Sequence, residues 1–316
     1  MEVYEKRVDV GGSITATYEL HHLTDTHVDD VDHAKDLLDE RIRHIADSPN
    51  ALWIGGGDYA SLIVPGDKRF GSGGHLKGEW AEHMSRLPDY YLDRCEETFG
   101  PIANKCAGLV AGNHEATIGK NYHRGMVAEL ASRLGDPSLY LGDRGWSALM
   151  FQSGTRRLAL NVFSYHGWSG GRLKGRKMIQ AERDLGAWDA DVFLLGHDHQ
   201  PVAHMWWTQR IRKTKRGWQT INTPRAHLNG GSWGYGQKPP SSDADKLEWK
   251  KAAKAPGQSW VEGKNYRPEA PDNPYLEIHL DYGHGAGAKA VSEYRPAGFD
   301  LEIRWRGNRH YLGEAA

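Results

Sequence analysis

The sequence predicts an α/β fold, because strand-like and helix-like segments alternate along its first two hundred residues. Past Gln200 the pattern changes, and short β-rich runs replace the helical spacing. A chain of 316 residues with 39% hydrophobic content is also long enough to form one large domain. These observations predict a layered α/β architecture with a largely parallel first sheet.

Five apolar runs have the composition of strands, and each gives way to a turn that carries polar side chains. They are residues 16–24, 51–54, 106–111, 158–165 and 191–195. If these strands end side by side, all five turns lie together at one edge of a sheet.

Four other segments have the apolar spacing of amphipathic helices. They are Val31 to Asp47, residues 77–104, Tyr122 to Leu134, and Lys177 to Trp188. In the second of them, Pro88 predicts a break or kink, because proline cannot continue the hydrogen bonding of a helix interior.

The β-rich part of the chain contains four predicted strands, at residues 201–208, 217–222, 274–280 and 299–306. The first two flank a basic run and predict a hairpin with that run at its tip. Residues 229–273, which are rich in Gly, Pro, Ser and Trp, predict an insertion that is either a mobile segment or an ordered lid. We therefore predict a single domain over residues 1–316 with this insertion inside it.

Composition narrows the classes of partner and location. The formal net charge of −1 provides no overall field for nucleic acid or an anionic membrane, so such a partner requires a local patch. The chain begins without the features of a signal peptide and contains no run of about 18 apolar residues, which predicts a cytoplasmic protein without a membrane partner. With only Cys95 and Cys106, read as buried thiols, metal binding depends on His, Asp and Asn.

The five turns carry seven side chains that could bind metal. The segments are Asp25-Thr26-His27, Gly57-Asp58, Gly112-Asn113-His114-Glu115, His166-Gly167 and Gly196-His197-Asp198-His199. Imidazoles, carboxylates and an amide without a thiolate suit Mn, Fe, Zn or Ni better than Ca. Seven ligands exceed the need of one tetrahedral ion, whereas two ions about 3.5–4 Å apart that share a carboxylate can clamp a phosphoryl group. The implied reaction is phosphoester hydrolysis.

Each segment alone also has an ordinary structural explanation. An Asp-x-His or a Gly-Asp after a strand is a common turn, and His197 and His199 could be surface neighbours on one face of a strand. His166 is identified only by its place after a strand and before glycines, so a histidine that binds no metal is an alternative. The combination, in one order and at strand ends, favours a metal centre.

In this order the five segments resemble the calcineurin-like metallophosphoesterases, over about residues 16–200. The resemblance implies a four-layer α/β/β/α sandwich with two mixed β-sheets flanked by helices. It also implies two ligand sets that share Asp58 as the bridge: Asp25, His27 and His199 for one ion, and Asn113, His166 and His197 for the other. The glycines after His166 resemble a loop of phage and bacterial members.

The resemblance further implies how catalysis is shared. A metal-bridging hydroxide would be the nucleophile, and His114 would correspond to the family's non-ligand histidine, which protonates the leaving oxygen or stabilises the developing charge. Glu115 would orient His114 from the second shell. Asp198, between two ligands, would lie in the second shell or face solvent.

One departure from the family narrows the function. Protein serine/threonine phosphatases follow the bridging aspartate with an Asp-Arg-Gly turn, but here the chain runs Gly57-Asp58-Tyr59-Ala60-Ser61. The interpretation that results is a phosphodiesterase or nuclease with two divalent ions, manganese first. The alternatives are a phosphomonoesterase acting on a nucleotide or small metabolite, a protein phosphatase, and a non-catalytic module that uses its metals for binding.

The basic run suggests contacts with the phosphates of a DNA or RNA substrate. Its five cationic residues are Arg210, Arg212, Lys213, Lys215 and Arg216. A solvated hairpin tip explains them equally well. Nearby tryptophans, among them Trp207 and Trp218, could stack on bases or could pack in the core.

Overall fold

The structure is a computed structural model. It describes residues 1–64 apart from 14, 31 and 32, then 83, 86–167, 179, 183, 186–214, 217–234, 273–281 and 298–304. Four α-helices in these ranges are α1 (Lys35–Asp47), α2 (Leu87–Phe99), α3 (Asn113–Tyr122) and α4 (Met126–Arg133). Short 3-10 helices span Gly100–Lys105 and Pro137–Leu139.

The strands of the described residues form two sheets. Their bounds are β1 (Glu2–Asp9), β2 (Thr15–Leu23), β3 (Ala51–Gly55), β4 (Cys106–Leu109), β5 (Arg144–Ser153), β6 (Arg156–Tyr165), β7 (Val192–Leu195), β8 (Val202–Thr214), β9 (Gly217–Asn229), β10 (Tyr275–Asp281) and β11 (Gly298–Arg304). The six-stranded sheet has the order β1-β5-β6-β7-β9-β8, and the five-stranded sheet has the order β11-β10-β2-β3-β4.

Both sheets are mixed, and each has a parallel part. In the five-stranded sheet β2, β3 and β4 are parallel, while β10 and β11 are antiparallel additions. In the six-stranded sheet β6, β7 and β9 are parallel. The carboxyl ends of parallel strands lie at the same edge, so each sheet gathers the turns that follow these strands at one edge.

The two sheets pack face to face. Their shared core contains Leu20 and Ile54 from the five-stranded sheet and Phe151 and Leu160 from the six-stranded sheet, all of them buried. Such an interface is the usual way for two sheets to bury one face each. The two mixed sheets and their helices confirm the predicted α/β sandwich.

Helices cover the outer face of the five-stranded sheet. Leu38 of α1, Phe99 of α2 and Leu130 of α4 pack in one cluster with Trp53 of β3. The outer face of the six-stranded sheet carries an aromatic cluster that includes Phe163, Phe193 and Trp188. The helix predicted from Lys177 to Trp188 lies mostly outside the described residues, as do residues 235–272 of the predicted insertion.

The elements differ from the predicted bounds in ways that have physical causes. The first helix begins at Lys35 and not at Val31, because the N–H groups of His33 and Ala34 just before it bind the carbonyls of Asp30 and Trp233. Within the predicted segment 77–104, helix α2 begins at Leu87, so Pro88 lies in its first turn, where its missing N–H leaves no hydrogen bond unmade. This helix boundary agrees with the predicted break at Pro88. The helix predicted from Tyr122 begins at Met126, since the backbone turns left-handed at His123.

Three elements were not predicted, and one prediction is corrected. Strands β1 and β5 and helix α3 had no place in the sequence-based assignment. The hairpin of β8 and β9 is longer than predicted: β8 continues to Thr214, so Arg210 to Lys213 lie in a strand and not at a tip. Within the described residues, no helix is long and apolar enough to cross a membrane.

Candidate metal centre

The predicted ligands meet where the two sheets present the carboxyl ends of their parallel strands. Asp25 follows β2, Asp58 follows β3, and Asn113 follows β4. His166 follows β6, and the segment with His197 and His199 follows β7. Six of the seven fall into overlapping groups, in which Asp58 lies close to His27 on one side and to His166 and His197 on the other. The seventh, Asn113, contacts His166 and His197 through its Oδ1 atom. The structure therefore brings together the side chains that the sequence predicted as ligands.

The first group contains Asp25, His27 and His199, whose ligand atoms lie within 4.8 Å of one another. His199 Nε2 is 3.2 Å from Asp25 Oδ1 and 3.4 Å from His27 Nε2. Asp25 is buried with its other oxygen, Oδ2, accepting from the Thr24 hydroxyl and the His197 N–H. Burial alone would raise the pKa of Asp25, but His199 holds it at about 2.

The second group is built around the Asn113 side chain. Its Oδ1 atom is 3.1 Å from His166 Nε2 and 2.7 Å from His197 Nδ1. Asp58 Oδ2 lies 3.0 Å from His166 Nε2, and Asp58 also belongs to a group with His27. The buried Asp58 carboxylate therefore stands between the two sets, where a bridging ligand would stand.

These residues fit divalent cations, because their lone pairs converge. His166 Nδ1 lies 2.7 Å from the Gly56 carbonyl, so we place its proton there, and the Nε2 lone pair then faces Asp58 and Asn113 oxygens. Burial alone would lower the pKa of His166, but the Asp58 carboxylate raises it to about 10. Asp25 Oδ1, although buried, accepts no hydrogen bond. A cation bound between these groups would accept the lone pairs of His166 Nε2 and Asp25 Oδ1. It would also displace the proton that His166 Nε2 carries when no metal is bound.

Strained backbone holds most of the ligands. Non-glycine residues rarely adopt a positive φ, and when they do they cluster at functional sites, where the surrounding structure compensates for strain. Five predicted ligands have such a backbone: Asp25 (50°), His27 (42°), Asp58 (51°), His197 (74°) and His199 (55°). The turns therefore point these side chains in directions that extended or helical backbone would not allow.

Glycines allow the ligand turns to approach one another. A Cβ on Gly57, whose φ is +92°, would lie 2.6 Å from the Gly112 nitrogen and 2.8 Å from His166 Nδ1. A Cβ on Gly112 would lie 2.1 Å from Asp58 Oδ1, and one on Gly196 would lie 2.7 Å from Asp25 Oδ2. Such distances exclude any side chain, so the glycines of the motifs are required by packing as well as by turn geometry.

Glu115 supports the site, but through a different partner from the one predicted. Its carboxylate accepts hydrogen bonds from the backbone N–H groups of Asp58, Tyr59 and Gly112 at 2.8–3.0 Å. Glu115 thus joins the turn after β3 to the start of α3, and it does not orient the His114 ring. Burial, with a contribution from Asp58, raises the pKa of Glu115 to about 7.

The His114 ring is oriented by Ser61, a residue that the sequence analysis quoted but assigned no role. His114 Nδ1 donates to the Ser61 carbonyl at 2.6 Å, which turns Nε2 towards Asp58 Oδ2 at 3.7 Å. The Ser61 hydroxyl lies 3.1 Å from His27 Nδ1. Buried Asp29 accepts from the Ser61 and Leu62 N–H groups. In the sequence, this support could have been predicted from the two carboxylates that follow His27, Asp29 and Asp30.

The other residues predicted for the site are Asp198 and the basic run. Asp198 is buried, not solvent-facing. Strand β8 begins at Val202 beside the metal edge and runs away from it, so Arg210 and Lys213 stand roughly 26–36 Å along the strand from Val202. The structure does not bring them to the metal centre. Lys215 and Arg216 lie outside the described residues, and for Arg210 and Arg212 only the strand positions are described.

A second group of potential ligands is better explained by hydrogen bonding. Glu19 Oε2 lies 3.0 Å from His21 Nε2 and 2.6 Å from His44 Nε2. Arg41 Nη1 lies 3.3 Å from His21 Nδ1, so Nδ1 accepts and Nε2 carries the proton that Glu19 receives. A protonated Nε2 leaves no lone pair for a metal at this position.

Comparisons with known proteins return structural neighbours of low similarity. No protein-family model matches the chain, and no curated protein matches it. A conserved uncharacterized protein of Streptococcus pneumoniae, described as a predicted phosphoesterase, is 12% identical with a TM-score of 0.31, over 92% of this chain and 99% of that chain. A mutant of Vps29 from Entamoeba histolytica is 11% identical with a TM-score of 0.31, over the same shares.

The NAD nucleotidase of Haemophilus influenzae is 9% identical with a TM-score of 0.36. The similarity covers 92% of this chain and 51% of the nucleotidase, so this chain matches about half of that protein. Similarity at these levels carries no argument about activity. The function is therefore argued from the site itself.

Proposed function

We propose that this chain is a phosphodiesterase that uses two divalent metal ions, with manganese as the first candidate. The observation that carries the proposal is the position of Asp58, which lies in one group with His27 and His114 and in another with His166 and His197. When bound, two such ions would clamp the phosphoryl oxygens and lower the pKa of a water between them.

Helix α3 adds positive potential at the place where the phosphate would bind. Its first residue is the ligand Asn113, and the N–H of His114 donates to Asp58 Oδ1 at 2.9 Å. The N-terminus of a helix carries a partial positive charge and favours anions. The helix therefore supports both the bridging carboxylate and an anionic substrate.

His114 is the residue proposed to act on the leaving group. Its Nδ1 proton is held by the Ser61 carbonyl, so Nε2 is the nitrogen that faces the centre. In the protonated ring, Nε2–H can donate to the leaving oxygen or stabilise charge developing on it. The ring is only partly buried, as a group that contacts substrate requires.

The residues around the centre favour a diester over a phosphoprotein. The residue after Asp58 is Tyr59, which is buried and donates its hydroxyl hydrogen to the Val110 carbonyl. A core residue therefore occupies the place where protein phosphatases carry a charged turn. The motif segments 24–30, 56–62, 112–116 and 196–200 contain no Lys or Arg. A diester bears one negative charge and needs fewer cations than the dianion of a monoester.

A substrate panel with metal analysis on the same preparation tests the proposal. Protein supplied with Mn would be assayed on bis(p-nitrophenyl) phosphate, p-nitrophenyl phosphate and single-stranded DNA. We expect faster turnover of the diester, and cleavage of the DNA. Faster turnover of the monoester with the DNA intact would contradict the assignment and favour a phosphomonoesterase.

Variants test the roles of individual residues. We expect Asp58→Asn to lose metal loading and activity, because the bridging carboxylate is gone. His114→Ala should keep its metal and lose turnover by about 10²–10⁴-fold. His123→Asn, at the exposed left-handed position after α3, is the control for loss of a histidine and should behave like the wild type, because asparagine tolerates that backbone. Full activity of Asp58→Asn would rule out the two-metal arrangement.

A further inference from the structure

Strands β8 and β9 extend beyond the sheet as a two-stranded arm. They pair over 13 residues each, but β7 pairs only with Ala226 to Asn229 of β9. We call residues 207–214 and 217–224 the arm. In the described residues, no further strand pairs with this part of the hairpin.

One face of the arm exposes large apolar side chains. Trp207, Ile211 and Trp218 are 62%, 72% and 68% exposed. Trp218 pairs with Lys213, and side chains alternate between faces along a strand, so Trp207, Ile211, Lys213 and Trp218 share one face. Nearer the metal edge the same face packs into the core through Met205. In the arm the same face is instead exposed at Trp207, Ile211 and Trp218.

The arm also concentrates positive charge. Residues 199–242 contain no aspartate or glutamate, although the whole chain has a net charge of −1. The cationic residues of this stretch include the basic run from Arg210 to Arg216. Lys213 is exposed beside Trp218, and Arg210 and Arg212 occupy register positions of the opposite face. The aromatic face therefore carries a cation, Lys213, beside Trp218, and the arm contributes further cations but no carboxylate of its own.

We propose that the arm binds single-stranded nucleic acid. Bases would stack on Trp207 and Trp218, because every base offers a flat face, and the cations would contact the phosphates. A second copy of the arm fits less well, since it would bring the same positive charge against this one. This inference rests on the proposed function in one respect, that the strand bound by the arm would also be the substrate of the metal centre.

The position of the arm favours a polymer as its ligand. Strand β8 begins three residues after His199, and Trp207 stands roughly 16 Å along the strand from Val202. A small diester in the metal centre cannot reach the arm. A strand of nucleic acid that lies along β8 can contact both, so the arm would raise affinity for long substrates without changing the chemistry.

Binding of a fluorescent oligothymidylate of about 20 nucleotides tests the arm. Anisotropy would be measured with the full chain in EDTA, so that cleavage does not occur. We expect Trp207→Ala with Trp218→Ala to weaken binding at least about tenfold. Lys213→Gln should reduce the salt dependence by about 0.7 in the slope of log K against log salt. Tyr122→Ala and Lys35→Gln are the matched aromatic and cationic controls away from the arm.

The outcomes separate this inference from the proposed function. Turnover of bis(p-nitrophenyl) phosphate should be equal in the wild type and the arm variants, since that substrate does not reach the arm. If the chain lacks phosphodiesterase activity but loses oligonucleotide binding in the arm variants, the arm assignment stands and the proposed function fails. Unchanged oligonucleotide affinity in the variants overturns the inference. The inference is also overturned if an arm variant changes the protein from dimer to monomer while its oligonucleotide affinity is unchanged. That result would assign the aromatic face to contact with a second copy of this chain.

Discussion

At the scale of single residues, the metal centre depends on neighbours that bind no metal. Ser61 is the clearest case, because its carbonyl orients His114 while its hydroxyl faces His27 Nδ1. The same hydroxyl lies 3.4 Å from Asp30 Oδ2. The N–H group at His27 Nδ1 can therefore donate a hydrogen bond to the Ser61 hydroxyl, which in turn donates a hydrogen bond to Asp30 Oδ2. The lone pair of His27 Nε2 is then left for a metal.

We predict that Ser61→Ala weakens binding of one of the two metals by about 10–100-fold, because His27 loses the partner that fixes its ring. The His114 contact uses the backbone carbonyl and should remain. Titration of the apoprotein with Mn, followed by calorimetry, would show the change. Ser153→Ala is the control, since its hydroxyl donates a hydrogen bond to the Ser13 carbonyl, away from the centre. Equal metal affinity in Ser61→Ala and wild type would contradict this role.

At the scale of elements, the site depends on how closely the turns after β3 and β4 approach each other. Gly57 and Gly112 face one another across these turns, and Glu115 binds both through backbone N–H groups of Asp58 and Gly112. Backbone contacts thus fix the ends of β3 and β4 relative to each other. This in turn sets the positions of the Asp58 and Asn113 side chains.

Gly57→Ala tests this close approach. Gly135 has nearly the same φ, +94° against +92°, but no atom lies within 4 Å of the site of its Cβ. Gly135→Ala should lose about 1–2 kcal/mol of unfolding free energy from the left-handed backbone alone. Gly57→Ala should lose more, and its metal binding as well, because its Cβ also meets Gly112. Urea unfolding of both variants provides the comparison, and equal losses would contradict the packing role.

Elements with long apolar runs could be predicted from the sequence, and those without could not. Strands β2, β3, β6 and β7 match their predicted positions within about two residues, because β3 and β7 are buried along nearly their whole length and β2 and β6 are buried over their carboxyl-terminal residues, which gives apolar runs. Helix α3 was missed because its first turn consists of site residues, and its buried positions are Glu115 and Ile118. Polar residues of the site therefore occupy positions where an amphipathic helix would show apolar side chains.

At the scale of the whole molecule, the metal centre joins the two sheets. Asp25, His27, Asp58 and Asn113 belong to turns of the five-stranded sheet, whereas His166, His197 and His199 belong to turns of the six-stranded sheet. Ions bound between them would hold the sheets together at this edge. Metal binding and stability should therefore be linked.

We predict that the melting temperature rises with added Mn and falls in EDTA. At a free metal concentration about one hundred times the dissociation constant, one site adds about 2.7 kcal/mol to the unfolding free energy. Differential scanning calorimetry over a series of Mn concentrations would measure the shift. Asp58→Asn should show little shift, because it lacks the shared ligand. A wild-type melting temperature that does not depend on Mn or EDTA would contradict the linkage.

The sequence by itself determined the α/β class, the order along the chain of the strands that precede the site, and the seven candidate ligands that follow them, because apolar runs and the residue types that bind metal are local properties of the chain. Only the tertiary structure decided which groups stand together. The support of His114 by Ser61, the binding of Glu115 to two turns, and the exposed aromatic face of the arm all depend on contacts or register between distant segments. Such contacts are set by strand pairing and by the packing of two sheets, and neither leaves a periodic trace in the sequence.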